Sequence, residues 1–333
     1  MALALTGSWR SDEGAGRVKV DSRLADLLLT HGCGGLGFRV ADSAASDPAT
    51  IERLHDGYRW NALAARRQEL NIAAVARAFG ASSLYSILGK GFAVARHYPG
   101  PGLRPYGDID VYIPAEDKDK AMSVLAARAP DAAVDLHAGY ADLDDRDSGE
   151  IRRRTILVTL EGEAIRLFGF EDHLRLLCLH AARHGALRAM WRCDIGLMLE
   201  SLPQSFDLAY FSAGDPQRTN VAFRVLGLAH TLLGARLDLL PVASTLLLPP
   251  SWMEDAVLAE WGRGRTSHGA RRPWRSEMFR PWRWPGAVLQ RWPNAFEAAY
   301  DTRTPLEKGG SVSVQLMACL RRIRRFSMTE LTS

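Results

Sequence analysis

Lysine is nearly missing from this chain. Of its 42 basic residues, 37 are arginine and five are lysine, in 333 residues with a formal net charge of +4. Arginine keeps its charge, grips phosphate with two prongs and stacks on aromatic rings, all better than lysine does. A GC-rich coding sequence accounts for the bias in bulk, since alanine is abundant too, so composition alone does not make a nucleic-acid binder. Other absences exclude more. No apolar run approaches the roughly 18 residues of a membrane span. The best candidate, Leu237 to Leu248, is short and carries Asp238 and Pro241. No basic segment followed by an apolar stretch opens the chain, so no signal peptide is expected. The four cysteines, Cys33, Cys178, Cys193 and Cys319, form no CxxC pair. A zinc ribbon or disulfide framework is therefore not expected, and a reducing cytoplasm is the default location.

What is present suits a folded protein. Apolar residues make up 47% and charged residues 24%, enough to bury a core without metal or disulfide staples. The length is generous for one domain and comfortable for two. Residues 1 to about 45 are mixed, and the glycines of His31-Gly32-Cys33-Gly34-Gly35 read as a loop, lacking both GxGxxG spacing and the Lys-Ser/Thr of a P-loop. Apolar spacing predicts helices at 48–64 and 66–79, ended by Gly80. A compact α/β stretch follows. Strands are predicted at Leu84–Leu88, Asp108–Ile113 and Ala133–His137, helices at Phe92–Tyr98 and 115–128, and a hairpin from Thr155–Leu160 and Ala164–Phe168 about Glu161-Gly162-Glu163. Asp142 to Glu150 reads as an acidic, exposed connection. From Glu171 the pattern is helical, with Leu187–Leu199, about 217–235 and a last amphipathic helix at about 311–326. The expected organisation is an N-terminal segment with helices (1–79), an α/β (α+β) core with a small mixed sheet (80–168) and a helical C-terminal part (169–333).

The chemistry concentrates in one block. Leu88-Gly89-Lys90-Gly91 is a glycine turn entering a helix. Seventeen residues after Gly91 comes Asp108-Ile109-Asp110 on an apolar strand. Residues i and i+2 of a strand share a face, so Asp108 and Asp110 present two carboxylates with Ile109 turned to the core. Adjacent like charges repel unless a cation lies between them. Mg²⁺ is usually held by one or two carboxylates plus substrate phosphates. Glycines let a backbone approach phosphate, and free N–H groups at a helix start attract it. Asp135 on a following strand offers a third carboxylate, completing a two-metal clamp; the plainer account is a strand-edge Asp capping a turn.

These residues resemble the bacterial nucleotidyltransferase-like family of the polymerase-β superfamily. The likeness rests on the KG turn at Lys90-Gly91 and on Tyr98-Pro99 … Arg104-Pro105 … Asp108-Ile109-Asp110. Asp135-Leu136-His137 and then His180, His184 and Trp191-Arg192-Cys193-Asp194-Ile195 follow, so that it covers about residues 50–200. It implies a small mixed sheet with a helical partner and Mg²⁺- or Mn²⁺-dependent transfer of a nucleotidyl group from an NTP. Asp108, Asp110 and Asp135 would hold the metal. Gly89 and Gly91 would approach the triphosphate, with Lys90 neutralising it. The turn departs from the superfamily's usual Gly-Ser or Gly-Gly and lacks that hydroxyl.

Several residues keep two readings. Arg104 clamps phosphate or acceptor, or pairs with Asp108. His137 shares a face with Asp135 and either contacts substrate or packs. His180 and His184 stand at i, i+4, but no HExxH glutamate or third ligand accompanies them, which favours an interface pair over zinc; His180 is also a candidate substrate contact. Asp194 pairs with Arg192 or Arg188, or faces the cleft. Between Trp261 and Trp292 lie five Trp, eight Arg and one acidic residue. That stretch suits nucleic acid or an anionic surface, or is a Pro-broken loop packed on the helices. The Arg321–Arg325 cluster suits a helix end. The functional expectation is NMP transfer from an NTP to a small molecule, sugar phosphate, peptide or RNA. The rivals are a non-catalytic nucleotide- or RNA-binding module and a phosphoryl transferase.

Overall fold

A computed structural model describes residues 1–10, 16–238, 240, 247–264 and 292–330, with the backbone alone for 323–330. In chain order the helices before the sheet are α1 (Ala2–Leu5), α2 (Ser22–Thr30), α3 (Gly34–Val40) and α4 (Pro48–Ala81). The α/β part holds β1 (Ile87–Leu88), α5 (Gly91–Ala95), β2 (Ile109–Ile113), α6 (Lys118–Arg128), β3 (Val134–Ala138), α7 (Ser148–Arg153), β4 (Ile156–Leu160) and β5 (Glu163–Leu167). After it come α8 (Phe170–Arg183), α9 (Ala189–Glu200), α10 (Leu208–Ser212), α11 (Pro216–Leu233), α12 (Ser251–Gly262), α13 (Ala295–Thr302) and α14 (Val312–Glu330). No helix among the described residues is long and apolar enough to cross a membrane. The Trp/Arg stretch at 265–291 and the side chains of Ile323–Arg325 lie outside the described residues.

The fold is the expected mixture of helices and one small mixed sheet. Its strand order is β3-β2-β1-β5-β4. The β1–β2 and β4–β5 pairs are antiparallel, while β2–β3 and β1–β5 are parallel. The β4–β5 hairpin closes through Glu161 and Gly162, both at positive φ, which matches the twist of a two-residue hairpin loop. Along β2, Ile109, Val111 and Ile113 face one way, into an apolar layer with Ile72, Val75 and Phe79 of α4 and Ala121 of α6. The alternation turns Asp110 and Tyr112 to the other side, where Tyr112 packs with Phe168 and Leu176.

Three expectations need correction. The two helices predicted at 48–64 and 66–79 are one helix of 34 residues. Nothing breaks it at position 65, because Ala64, Ala65, Arg66 and Arg67 all favour helix, and Asp47 caps its start by accepting from Thr50 N–H at 3.0 Å. Gly34 and Gly35 lie in α3 rather than in a loop, packed against Leu29 and Gly102, while Gly32 stays in the turn before it. The segment 142–150 is not simply exposed. Asp142 is buried against Arg183 (2.8 Å), Asp145 meets Arg175 (2.6 Å), and α7 begins at Ser148. Its acids find arginines 30 to 41 residues further on, partners that local polarity cannot reveal.

The mixed N-terminal segment is also ordered. Trp9 is buried over Gly196 of α9, and Arg10 reaches Glu200 at 2.6 Å. Leu5, Leu28 and Leu36 share one core with Leu174, Ile195 and Leu226. The N-terminal helices thus pack on the same body as α8, α9 and α11, and α4 bridges that body to the sheet.

Gly102 holds the loop before β2 against α4. Its φ is +80°, and a Cβ there would lie 2.7 Å from the Ala62 nitrogen and 2.8 Å from the Tyr58 carbonyl oxygen. Gly102→Ala should cost on the order of 3 kcal/mol, from left-handed strain plus backbone overlap. Gly80→Ala, exposed, helical and with nothing within 4 Å of the added carbon, should instead gain about 0.5 kcal/mol. Urea denaturation of both variants checks the contrast.

Candidate active site

The site begins where β1 ends. Gly89 N–H continues the ladder to the Asp110 carbonyl at 3.1 Å. A side chain on Gly89 would press on Tyr112, Leu176 and Phe168 at 3.0–3.2 Å. Packing requires this glycine; it does not line the cleft, whereas Gly91 does. Between them Lys90 adopts φ +45°, ψ −133°, a left-handed conformation uncommon for a residue with a side chain. Its N–H donates to His173 Nε2 at 3.1 Å. That N–H is therefore spent on the protein rather than offered to phosphate, and α5 is only five residues long. His173 sits buried in α8, and burial drives its pKa down to about 3. The imidazole stays neutral, so its lone pair remains available to hold the turn.

The turn aims the Lys90 side chain at the sheet. Its ammonium lies 2.5 Å from Asp110 Oδ1, and both residues are buried. Burial pushes the Asp110 pKa up, but the hydrogen bond from His137 and the charge of Lys90 outweigh it and hold the carboxyl below its ordinary value. The β2–β3 register sets Asp110 opposite Asp135 and Tyr112 opposite His137. His137 Nε2 then stands 3.2 Å from Asp110 Oδ1 and 3.3 Å from Asp135 Oδ2. It must carry a proton to bond either carboxylate. Tyr112 stacks on the His137 ring at 4.3 Å and fixes its orientation. One ligand atom each from Asp110, Asp135 and His137 lies within 4.8 Å of the others.

Asp108 is placed differently. It precedes β2 and is exposed at the cleft, outside that converging trio. Gln68 of α4 donates to the Gly107 carbonyl beside it. Arg104 does not pair with Asp108. It lies buried against Asp194, with Nη2 to Oδ2 at 3.0 Å and Nε to Oδ2 at 3.2 Å. Tyr98 donates to the other Asp194 oxygen at 3.0 Å. The expectation that Asp194 meets Arg192 or Arg188, or faces the cleft, is corrected. It is fully buried and away from the cleft lining, because Arg104 and Tyr98, 90 and 96 residues earlier, take both its oxygens. The pair locks the Arg104-Pro105 loop to α9, while Arg104 still borders the cleft.

A cleft of about 1000 Å³ runs past these groups. The sheet side offers Lys90, Gly91, Asp108, Asp110, Asp135 and His137. The facing wall is helical, with Trp60 from α4 and His180, Arg183, His184, Arg188 and Trp191 from α8, α9 and their junction. His180 and His184 have ring centroids 4.5 Å apart, and Trp191 stands edge-on to His180 at 5.0 Å. Burial depresses the His180 pKa well below its ordinary value, with Lys90 adding to the effect. No group beyond Asp110, Asp135 and His137 gathers metal-ligand atoms among the described residues, so the two histidines stand as a wall.

Residues 21–135 match the model of a family described as uncharacterised nucleotidyltransferase. That segment is nucleotidyltransferase-like. The match supports a transferase of nucleotidyl groups. It covers about a third of the chain, from the Asp21 cap of α2 to Asp135, and so takes in the Lys90 turn and all three aspartates. His137, His173 and the wall residues of α8 and α9 lie beyond it. No curated protein and no solved structure matches the chain. Reading the sequence alone missed His173, since nothing local marks a helix-start histidine as the partner of a turn 83 residues earlier.

His173→Leu should leave the Lys90 N–H buried and unbonded, costing about 1–3 kcal/mol, while His173→Gln, which keeps an acceptor, should cost less. Because the folded pKa is depressed from 6.5 to about 3, the histidine's contribution is complete above pH 6.5 and fades as pH falls toward 3. The slope approaches about 1.4 kcal/mol per pH unit within that window. Denaturant titrations across it should show wild type losing stability faster than His173→Gln.

Proposed function

We propose that the protein transfers a nucleoside monophosphate from an NTP to an acceptor, with a divalent cation, Mg²⁺ or Mn²⁺. The observation that carries this reading is the convergence of Lys90, Asp110, Asp135 and His137 at the floor of one cleft, within or beside the segment matching a nucleotidyltransferase family. Two carboxylates and an imidazole fit a divalent ion, held by Asp110 and Asp135 with Asp108 at the rim. Such an ion neutralises phosphate oxygens and lowers the pKa of an acceptor hydroxyl. The core is taken as residues 80–168, with α4 from the N-terminal part and α8 and α9 from the C-terminal part supplying the opposite wall.

The chain's own groups supply the rest. Lys90 neutralises Asp110. With a triphosphate present, the same ammonium meets the phosphate oxygens, swapping one anion for another within its reach. His173 keeps the turn in the geometry that allows this. Asp135, more exposed than Asp110, accepts a hydrogen bond from the acceptor hydroxyl. The Arg104–Asp194 pair fixes the loop leading to Asp108, so that the carboxylates do not drift. Rate then comes from positioning and charge neutralisation rather than covalent chemistry. The cleft volume stands at the upper end of small-molecule sites, which leaves room for donor and acceptor together.

Incubation with α-labelled NTPs, Mg²⁺ or Mn²⁺ and cell extract, read by label transfer and pyrophosphate release, tests this. Asp110→Asn should lower transfer by about 10²–10³-fold, and Lys90→Met should raise the KM for NTP more than it lowers kcat. ADP in place of pyrophosphate from ATP would move the reading to phosphoryl transfer. NTP binding with no transfer under either metal, unchanged in Asp110→Asn, would leave a binding module.

A further inference from the structure

The converging ligands are not all oxygen. Mg²⁺ wants near-octahedral oxygen coordination and gives up its waters reluctantly, while an imidazole nitrogen favours first-row transition ions. His137 is presented as a ligand rather than merely being near. Its ring lies 18° from parallel with Tyr112 at 4.3 Å, and Tyr112 is braced edge-on by Phe168 at 5.0 Å. The parallel register adds a second constraint by setting His137 one alternation beyond Asp135 on the same face. Nε2 therefore points between the two carboxylates before any ion arrives, and an ion bound there displaces the Nε2 proton to solvent. His137 and Asp135 are 23% and 52% exposed, against 7% for Asp110. The outer side of the trio thus opens to the cleft, where water or a substrate oxygen completes the coordination.

We infer that Asp110, Asp135 and His137 form a mixed nitrogen–oxygen site that binds a first-row transition divalent cation, such as Mn²⁺, in preference to Mg²⁺. This concerns the ion of the proposed transfer site, and rests on that proposal only for what the ion does there. Magnesium entering with the NTP is a separate matter, belonging to the phosphates and to exposed Asp108. Lys90 is the natural competitor, since its ammonium already stands on Asp110 Oδ1.

The test needs no substrate and no turnover. Mn²⁺ is titrated into the full-length protein, free ion is counted by EPR, and pulsed EPR looks for nitrogen coupling to bound Mn²⁺. Expected are one site, nitrogen coupling, and retention of Mn²⁺ against a tenfold excess of Mg²⁺. His137→Asp, which makes the donors all oxygen, should abolish the coupling and let Mg²⁺ displace Mn²⁺. His137→Asn should weaken Mn²⁺ binding by at least about 10-fold, the lower end of what losing even an outer partner costs. Lys90→Met removes the competing cation and should tighten it. Circular dichroism confirms that each variant is folded. Absence of nitrogen coupling, equal competition by Mg²⁺, or coupling that survives in His137→Asp overturns the inference. Loss of nucleotidyl transfer with Mn²⁺ binding intact would overturn the proposed function and leave this one standing.

Discussion

One buried contact organises the site: the ammonium of Lys90 against the carboxylate of Asp110 at 2.5 Å. Two charges taken out of water are stable only when each finds a partner in good geometry. Everything around the pair serves that condition. The strained turn points the lysine inward, His173 bonds its N–H, and His137 bonds the same oxygen of Asp110. In a chain with five lysines among 42 basic residues, the one that sits on Asp110 is a lysine. A slender ammonium on a flexible stem can leave one anion for another, as a forked guanidinium anchored at two points does less readily.

The second buried pair, Arg104 with Asp194, has the opposite character. Its guanidinium sends two nitrogens to the carboxylate, Tyr98 takes the remaining oxygen, and the aspartate is fully enclosed. That is a fastener, tying the loop before β2 to the helical body. The contrast separates the roles of two cations that the sequence alone leaves alike. Arg104 fastens a loop, while Lys90 stands on Asp110 at the cleft.

Much of the sheet side was legible from local pattern. Period-two alternation turns Asp110 away from Ile109 and Val111, and the same rule puts Asp135 and His137 on one face. Glycines on either side of Lys90 mark a turn. The helical side was not legible, because its contacts join residues far apart in sequence. Asp194 meets Arg104 and His173 meets Lys90 across more than 80 residues. The acids at 142–145 find Arg175, Arg183 and Arg218 on later helices. The N-terminal residues read as mixed because Trp9, Leu28 and Leu36 share one core with residues of α8–α11 far along the chain. Local propensity carries no trace of such pairings. The converse error, the missing break in α4, came from expecting two amphipathic stripes where good helix formers let one helix run on.

The account stands on Lys90 and the trio beside it acting as one exchangeable charge centre. A crystal structure with a non-hydrolysable NTP analogue and Mn²⁺, collected at the manganese edge, tests this most directly. The account predicts an anomalous peak within bonding distance of Asp110, Asp135 and His137, with the Lys90 ammonium moved onto a phosphate oxygen. A nucleotide bound elsewhere in the cleft, with Lys90 still on Asp110 and no peak at the trio, would contradict it.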